Sequence, residues 1–396
     1  MDVRVRRGDS LWFYSELFKI PFFLLLDSNR SANPDNLQVG QRISIPGYVA
    51  ENYIVQRGDS LWRIGRQRGI EGEGILLVNQ GINPDLLQVG QQIKLPRKVT
   101  EPVVKGRRPY DFETLKADLE RLISIYPFVA NREIGRSVMG KGLHELQIGR
   151  GSKRVHMNAS FHANEWITSA ILMQTLNEYL LALTNNQSIR GRRVMAYYNS
   201  LLLSLVPMVN PDGVDLVIHG APAAEPYHSR VMQINGGNTD FSGWKANIRG
   251  VDLNDQFPAL WEKEAERKIK SPAPRDFPGY APLSEPESLA LADLTRRGNF
   301  SRVLAYHTQG QVIYWGFEGR EPAESAKIVA EFSRVSGYQQ IRYVDSYAGY
   351  KDWFIYAWRR PGFTVELGQG VNPLPLSQFN EIYEENLGIF LAALYM

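Results

Sequence analysis

Two of the six histidines in this 396-residue chain stand where metal chemistry is possible. His162 and Glu165 are three residues apart in His162-Ala163-Asn164-Glu165-Trp166, between an apolar run and a helical pattern. His307 closes a second apolar run, Val303-Leu304-Ala305-Tyr306. Two imidazoles and one carboxylate form a three-ligand set for one zinc ion per chain, with a coordination position left for water. A water so placed is acidified toward neutral pH, so the chemistry in prospect is metal-assisted hydrolysis. His144, His156, His219 and His228 lack partners at ligand spacing and are expected to be structural or surface residues. The chain has no cysteine, which excludes disulfides, thiolate zinc sites, iron–sulfur clusters and a cysteine nucleophile. No G-x-S-x-G or Walker sequence is present, and Gly140-Lys141-Gly142 has no phosphate-loop pattern after it.

These groups need a scaffold that brings distant segments to one point. Leu115, Leu119, Leu122, Ile123 and Tyr126 recur at helical spacing before Pro127. Val155 to Phe161 predicts a strand, and Ile167 to Leu183 a long helix with a buried face. Leu201 to Val206 is continuously apolar, as in a strand buried on both sides. Further strands are expected at 303–306 and 363–365, and helices near 322–336 and 377–394. The alternation predicts an α/β domain over 109–396 with a largely parallel sheet. Sites in such sheets form at the carboxyl ends of strands, where His162 and His307 fall.

The first hundred residues repeat with a period of 50. Arg7-Gly8-Asp9-Ser10-Leu11-Trp12 returns as Arg57-Gly58-Asp59-Ser60-Leu61-Trp62, and Asn33-Pro34-Asp35 as Asn83-Pro84-Asp85. Leu37-Gln38-Val39-Gly40-Gln41 returns as Leu87-Gln88-Val89-Gly90-Gln91. Each copy predicts a βααβ unit, with Ser or Asp capping the first helix and a closing strand ended by proline. The pattern resembles the LysM module, over residues 1–47 and 52–97. That resemblance implies binding of peptidoglycan or chitin through N-acetylglucosamine-containing strands. By analogy the sugar groove involves Gly8, Asp9, Ser10, Asp35 and Leu37, and in the second copy Gly58, Asp59, Ser60, Asp85 and Leu87. A basic linker with two prolines follows over 98–108.

Composition narrows the class. Apolar residues make up 43% and charged residues 22%, values of a globular chain rather than a disordered, collagen-like or membrane-embedded one. A net charge of +3 gives no reason to expect nucleic acid as a partner. The longest early apolar run, Ile20 to Leu26, is far below a membrane span, and it lacks the flanks of a signal peptide. The expected location is the cytoplasm or, by another export route, the cell wall or spore.

Five blocks occur in a fixed order: His162-Ala163-Asn164-Glu165-Trp166, Asn210-Pro211-Asp212-Gly213, Gly250-Val251-Asp252-Leu253-Asn254, His307-Thr308-Gln309-Gly310 and Phe363-Thr364-Val365-Glu366-Leu367-Gly368. Together they resemble the zinc metallocarboxypeptidase family. The resemblance implies a doubly wound α/β/α fold, zinc on His162, Glu165 and His307, and peptide-bond hydrolysis with Glu366 as general base. It also implies a cation for the oxyanion, expected to be Arg249 with Lys245 as the alternative. A mobile tyrosine over the substrate is expected to be Tyr347, with Tyr350 as its competitor. The family grips a terminal carboxylate with an Asn-Arg pair, and here the pair is Asn254-Asp255. That departure, with the wall-binding repeats, resembles the bacterial γ-D-glutamyl-L-diamino acid endopeptidases, which cut peptidoglycan stem peptides. Two further readings are a true carboxypeptidase and an inactive wall-binding protein.

Overall fold

The computed structural model describes residues 1–396. The chain forms two compact units. One holds Met1–Val103 with 118–130 and 177–195; the other holds 104–117, 131–176 and 196–396.

In the first unit both repeats fold as βααβ. Strand β1 (Asp2–Arg4) pairs antiparallel with β2 (Arg42–Ser44), and α1 (Leu11–Phe18) and α2 (Phe22–Ser28) lie between them in sequence. Strand β3 (Tyr48–Ile54) pairs with β4 (Gln92–Lys98) around α3 (Leu61–Arg68) and α4 (Gly72–Val78). Ser10 and Ser60 cap α1 and α3, accepting from the N–H groups of Phe13 at 3.1 Å and Arg63 at 3.2 Å. Val55, Leu61, Ile64, Ile75, Ile93 and Leu95 close the second core. The closing strand does not stop at Pro96: β4 runs on to Lys98, with Pro96 opposite Ala50. A two-stranded ribbon has free edges, where the missing N–H of proline breaks no ladder. The repeats also touch, through an Arg6–Glu73 ion pair at 2.7 Å and Gln80 donating to the Arg4 carbonyl at 3.3 Å. Gly47 is needed at its position, since its φ is +74° and a Cβ would lie 2.7 Å from the Thr184 side chain.

The second unit is built on an eight-stranded sheet. Its strands are β5 (Ala130–Arg136), β6 (Gly142–Gly149), β7 (Lys153–Ala159), β10 (Leu201–Val206), β11 (Arg302–His307), β12 (Val312–Tyr314), β13 (Gln339–Ile341) and β14 (Gly362–Glu366). A short hairpin, β8 (Ser188–Ile189) and β9 (Arg192–Arg193), stands apart from it. The spatial order is β13-β12-β14-β11-β7-β10-β6-β5. The four central strands run parallel, as expected of a largely parallel sheet, while β6 on β10 and β12 on β14 are antiparallel and make the sheet mixed. From β7 the chain reaches β10 on one side, and later β11 on the other. The point where strand order reverses opens a crevice at the carboxyl ends. Helix α5 (Phe112–Ile125) precedes the sheet in the chain, and α6 (Ile167–Thr184) is buried almost all round, because apolar residues occur on every face. No helix is long and apolar enough to cross a membrane.

Candidate active site

Strand β7 ends at Ala159, two residues earlier than the apolar run. Ser160 turns the backbone with φ +51°, and Phe161 and His162 lie beyond it. A single 3-10 turn, Ala163–Glu165, then brings Glu165 back beside His162. His162 Nδ1 is 2.8 Å from Glu165 Oε1, and His307 Nδ1, from the end of β11, is 3.0 Å from Glu165 Oε2. The two Nδ1 atoms are 3.2 Å apart. All three groups are buried and offer ligand atoms within 4.8 Å of one another.

The donor set fits zinc. Two nitrogens, each ~2.1 Å from one tetrahedral ion, sit about 3.3 Å apart. Both histidines present the same ring atom, Nδ1, and the other nitrogen of His162 is supported. His162 Nε2 is 3.2 Å from Asp252 Oδ1, the carboxylate–histidine arrangement that orients a metal ligand. Thr308 N–H and Asn372 Nδ2 donate to Glu165 at 3.3 and 3.4 Å. Phe161 stacks on His307 with ring planes 3° apart.

Charge and burial act together on the three donors. Burial disfavours a charged His162, yet Glu165 and Asp252 outweigh it and push the imidazole up to about 9. Burial also opposes ionisation of Glu165, but the two imidazoles hold it well below the usual carboxylate range. Glu366 ends β14 in register with His307 and keeps part of its surface accessible. Burial and the charge of Glu165 push Glu366 up to about 8.

Not every expected residue is brought to this point. Arg249 is not: its guanidinium is 42% exposed and pairs with Glu285 at 3.4 Å. Lys245 is instead the cation whose charge reaches the triad. Its charge acts on His162, His307 and Glu366, and Glu165 and Asp252 raise its own pKa against burial. Its carbonyl accepts from Ala163 N–H at 3.0 Å, and Trp244 beside it is locked by indole N–H bonds to the Ala246 and Asn247 carbonyls. The four-residue offset between Lys245 and Arg249 is invisible in composition, since both lie in one short loop.

Tyr350 is a core residue. Its hydroxyl lies 2.9 Å from Thr295 Oγ1, and its ring packs among Phe161, Phe257 and Trp353. Tyr347 is half-buried, with its hydroxyl bonded by Lys263 and its ring 4.0 Å from that ammonium. Asn254 accepts from Tyr350 N–H at 3.2 Å. Asp255 is buried, and Lys268 Nζ is 3.1 Å from it. Burial, then Asp252 and Glu264, push Asp255 up to about 7, while Lys268 opposes the rise. The chain itself therefore supplies an ammonium to Asp255.

In the repeats, Gly8 and Gly58 have φ near +90° and +85°. Asp9 and Asp59 bind the Tyr14 and Tyr53 hydroxyls at 2.7 Å, and Ser10 and Ser60 are caps, so all four side chains build the turns. Asp35 and Asp85 are exposed, and Leu37 and Leu87 are half-exposed. Asp252, Lys268, Thr308 and Asn372 support the site without standing at ligand spacing in the sequence. Asp252 and Thr308 stand inside motif blocks, but Lys268 and Asn372 carry no local signal.

An α/β sheet with buried His, Glu and His donors at neighbouring strand ends defines a zinc metallopeptidase. The chain belongs to the zinc carboxypeptidase family, whose description matches residues 115–388. The LysM domain matches residues 3–46 and 53–96. The gamma-D-glutamyl-L-diamino acid endopeptidase 1 of Lysinibacillus sphaericus is 63% identical over 396 residues, covering 100% of both chains. The uncharacterized protein YqgT of Bacillus subtilis is 48% identical over 296 residues, covering 74% of this chain and 79% of its own. The crystal structure of thrombin activatable fibrinolysis inhibitor shares the fold, with a TM-score of 0.59 at 17% identity over 87% of this chain and 96% of its own.

Proposed function

We propose that this protein is a zinc-dependent peptidoglycan endopeptidase that hydrolyses the γ-D-glutamyl-L-diamino acid bond of stem peptides. The carrying observation is the full-length likeness to the Lysinibacillus enzyme, together with a buried triad that has the family's donors. Residues 1–47 and 52–97 hold glycan strands, 98–108 link, and 109–396 carry the chemistry, in the cytoplasm or at the spore or cell wall.

His162, Glu165 and His307 hold the ion. Bound zinc supplies Lewis-acid polarisation of the scissile carbonyl and a more acidic water. Glu366 takes the proton of the attacking water and delivers it to the departing amine nitrogen. Lys245 stabilises the developing oxyanion from a fixed position. Tyr347 covers the substrate.

Asn254 and Asp255 border the substrate end of the cleft. An arginine there would hold a free terminal carboxylate by a bidentate pair. Asp255 with Lys268 is close to neutral, so a chain continuing past the scissile bond is not penalised. Mass spectrometry of products from purified muropeptides tests the reading. The expected cut leaves γ-D-glutamate on one fragment and a new diamino acid amine on the other, and a C-terminal block does not prevent it. Stepwise release of single C-terminal residues, stopped by the block, would overturn it in favour of a true carboxypeptidase.

A further inference from the structure

We propose that the cleft between the two repeats of the first unit binds the carboxylate-bearing peptide stem of peptidoglycan, at a place separate from the sugar-facing turns. The inference rests on the wall-directed function above. The cleft has a volume of about 470 Å³ and is lined by the end of α1, by β3 and β4, and by the turn between α3 and α4. It exists because β3 and β4 are long: Tyr48 lies opposite Lys98, well past the second repeat's own core. Its walls are apolar, with Phe18 edge-on to Tyr48 at 5.1 Å, beside Ile70, Leu95 and Pro96.

Four cations line the cleft. Two of them share one carboxylate, Glu51, 3.8 Å from Arg68 and 3.2 Å from Arg97, and Glu71 is the other acid on the wall, so the lining keeps a net positive charge. Lys19 and Lys98 have no carboxylate partner. The Lys98 ammonium instead donates to the Lys19 backbone carbonyl at 3.3 Å and lies 6.0 Å from the Tyr48 ring. Burial and then the charge of Lys19 lower the pKa of Lys98, so the two ammoniums are close enough to repel. An anion between them removes that repulsion.

The position of Lys19 is informative in its own right. It ends α1 in the left-handed conformation with φ +50°, where the second repeat has Gly69 at φ +65°. Glycine suits such a helix end, and a lysine there is strained. The first repeat thus departs from the better local residue at the place where a charge lines the cleft.

Two uncompensated ammoniums beside aromatic and aliphatic walls fit a carboxylate carried on a short aliphatic segment. The L-alanyl-γ-D-glutamyl part of a stem peptide has this form, with a methyl group for the wall and a free α-carboxylate for the lysines. A poly(glycerol phosphate) brings charge but little to cover the apolar surface.

The test uses the full-length zinc enzyme and N-acetylmuramyl-L-alanyl-D-glutamate, which lacks the scissile bond, with binding read by calorimetry. The double variant Lys19→Gln/Lys98→Gln is expected to bind it about tenfold more weakly or worse. Binding of N-acetylglucosamine oligomers and cleavage of free L-alanyl-γ-D-glutamyl-diaminopimelate should stay within about twofold of the native protein, which shows that the fold and both other sites are intact. Lys98→Arg should retain binding. An unchanged muropeptide affinity in the double variant would overturn the proposal, as would an equal loss for the sugar oligomers. A glycerol phosphate oligomer that alone depends on the lysines would assign the cleft to another wall polymer and also overturn it. Failure of the native enzyme to cut the free tripeptide would refute the proposed activity and leave this binding comparison standing.

Discussion

In the proposed mechanism Glu366 moves the proton and Lys245 meets the oxyanion, and each role has its own test. Glu366→Gln keeps shape and removes the proton acceptor, so zinc content should be unchanged and kcat should fall by about 10² or more. Near-normal turnover in that variant would remove Glu366 from the reaction. Lys245→Ala is expected to lower kcat by about 10²- to 10³-fold, the usual effect of deleting one oxyanion partner. Arg249→Ala, which breaks only a pair with Glu285, should change it less than about threefold. The reverse ranking would restore Arg249 to the site. The protonation of His162 makes a third expectation. With a metal-free pKa of about 9 it carries a proton at pH 7, and ligation requires the neutral ring. Zinc binding at pH 7 should therefore release about one proton, and affinity should weaken as pH falls below about 9. Calorimetry in buffers of different ionisation enthalpy reads this directly, and no buffer dependence would contradict it.

At the scale of elements, the donors meet because three parallel strands end at one level. β7 leads through a turn to His162, β11 ends on His307, and β14 ends on Glu366 in register with it. This alignment depends on a close crossing at the far side of the sheet. A Cβ on Gly151 would lie 1.9 Å from the Ser200 backbone carbon, where β10 begins. Gly151→Ala must displace backbone rather than a flexible side chain, and should cost about 3 kcal/mol in unfolding free energy. Gly243→Ala, which meets nothing within 4 Å, should be nearly neutral. Equal melting temperatures for the two variants would show that the crossing is softer than its geometry. The four central strands were legible in the sequence, Leu201–Val206 as one continuous apolar run, and α6 departs from its expected end by a single residue, whereas the outer strands β5, β6, β12 and β13 gave no such signal. Pairing directions were not legible. The antiparallel placement of β6 and β12 depends on partners distant in the chain, and apolar runs carry no direction.

The whole molecule joins a metal site to two glycan-directed repeats. Chelating the zinc should abolish cleavage and leave capture of insoluble peptidoglycan unchanged, because no residue of the triad belongs to the unit that holds the repeats. Loss of capture on chelation, measured by sedimentation with the wall, would show that the repeats depend on the metal. The repeats, the order of the motif blocks and the identity of the donors were all present in the sequence, since each is a local pattern of residue types. Tertiary structure alone decided which cation's charge reaches the triad, which of Tyr347 and Tyr350 is wholly buried in the core, and that Asp255 already has a partner in Lys268. Lys245 and Arg249 differ by one turn of loop, and Asp255 and Lys268 by thirteen residues. Charge pairing and burial at such separations depend on how the backbone folds back on itself, and no spacing rule along the chain encodes that path.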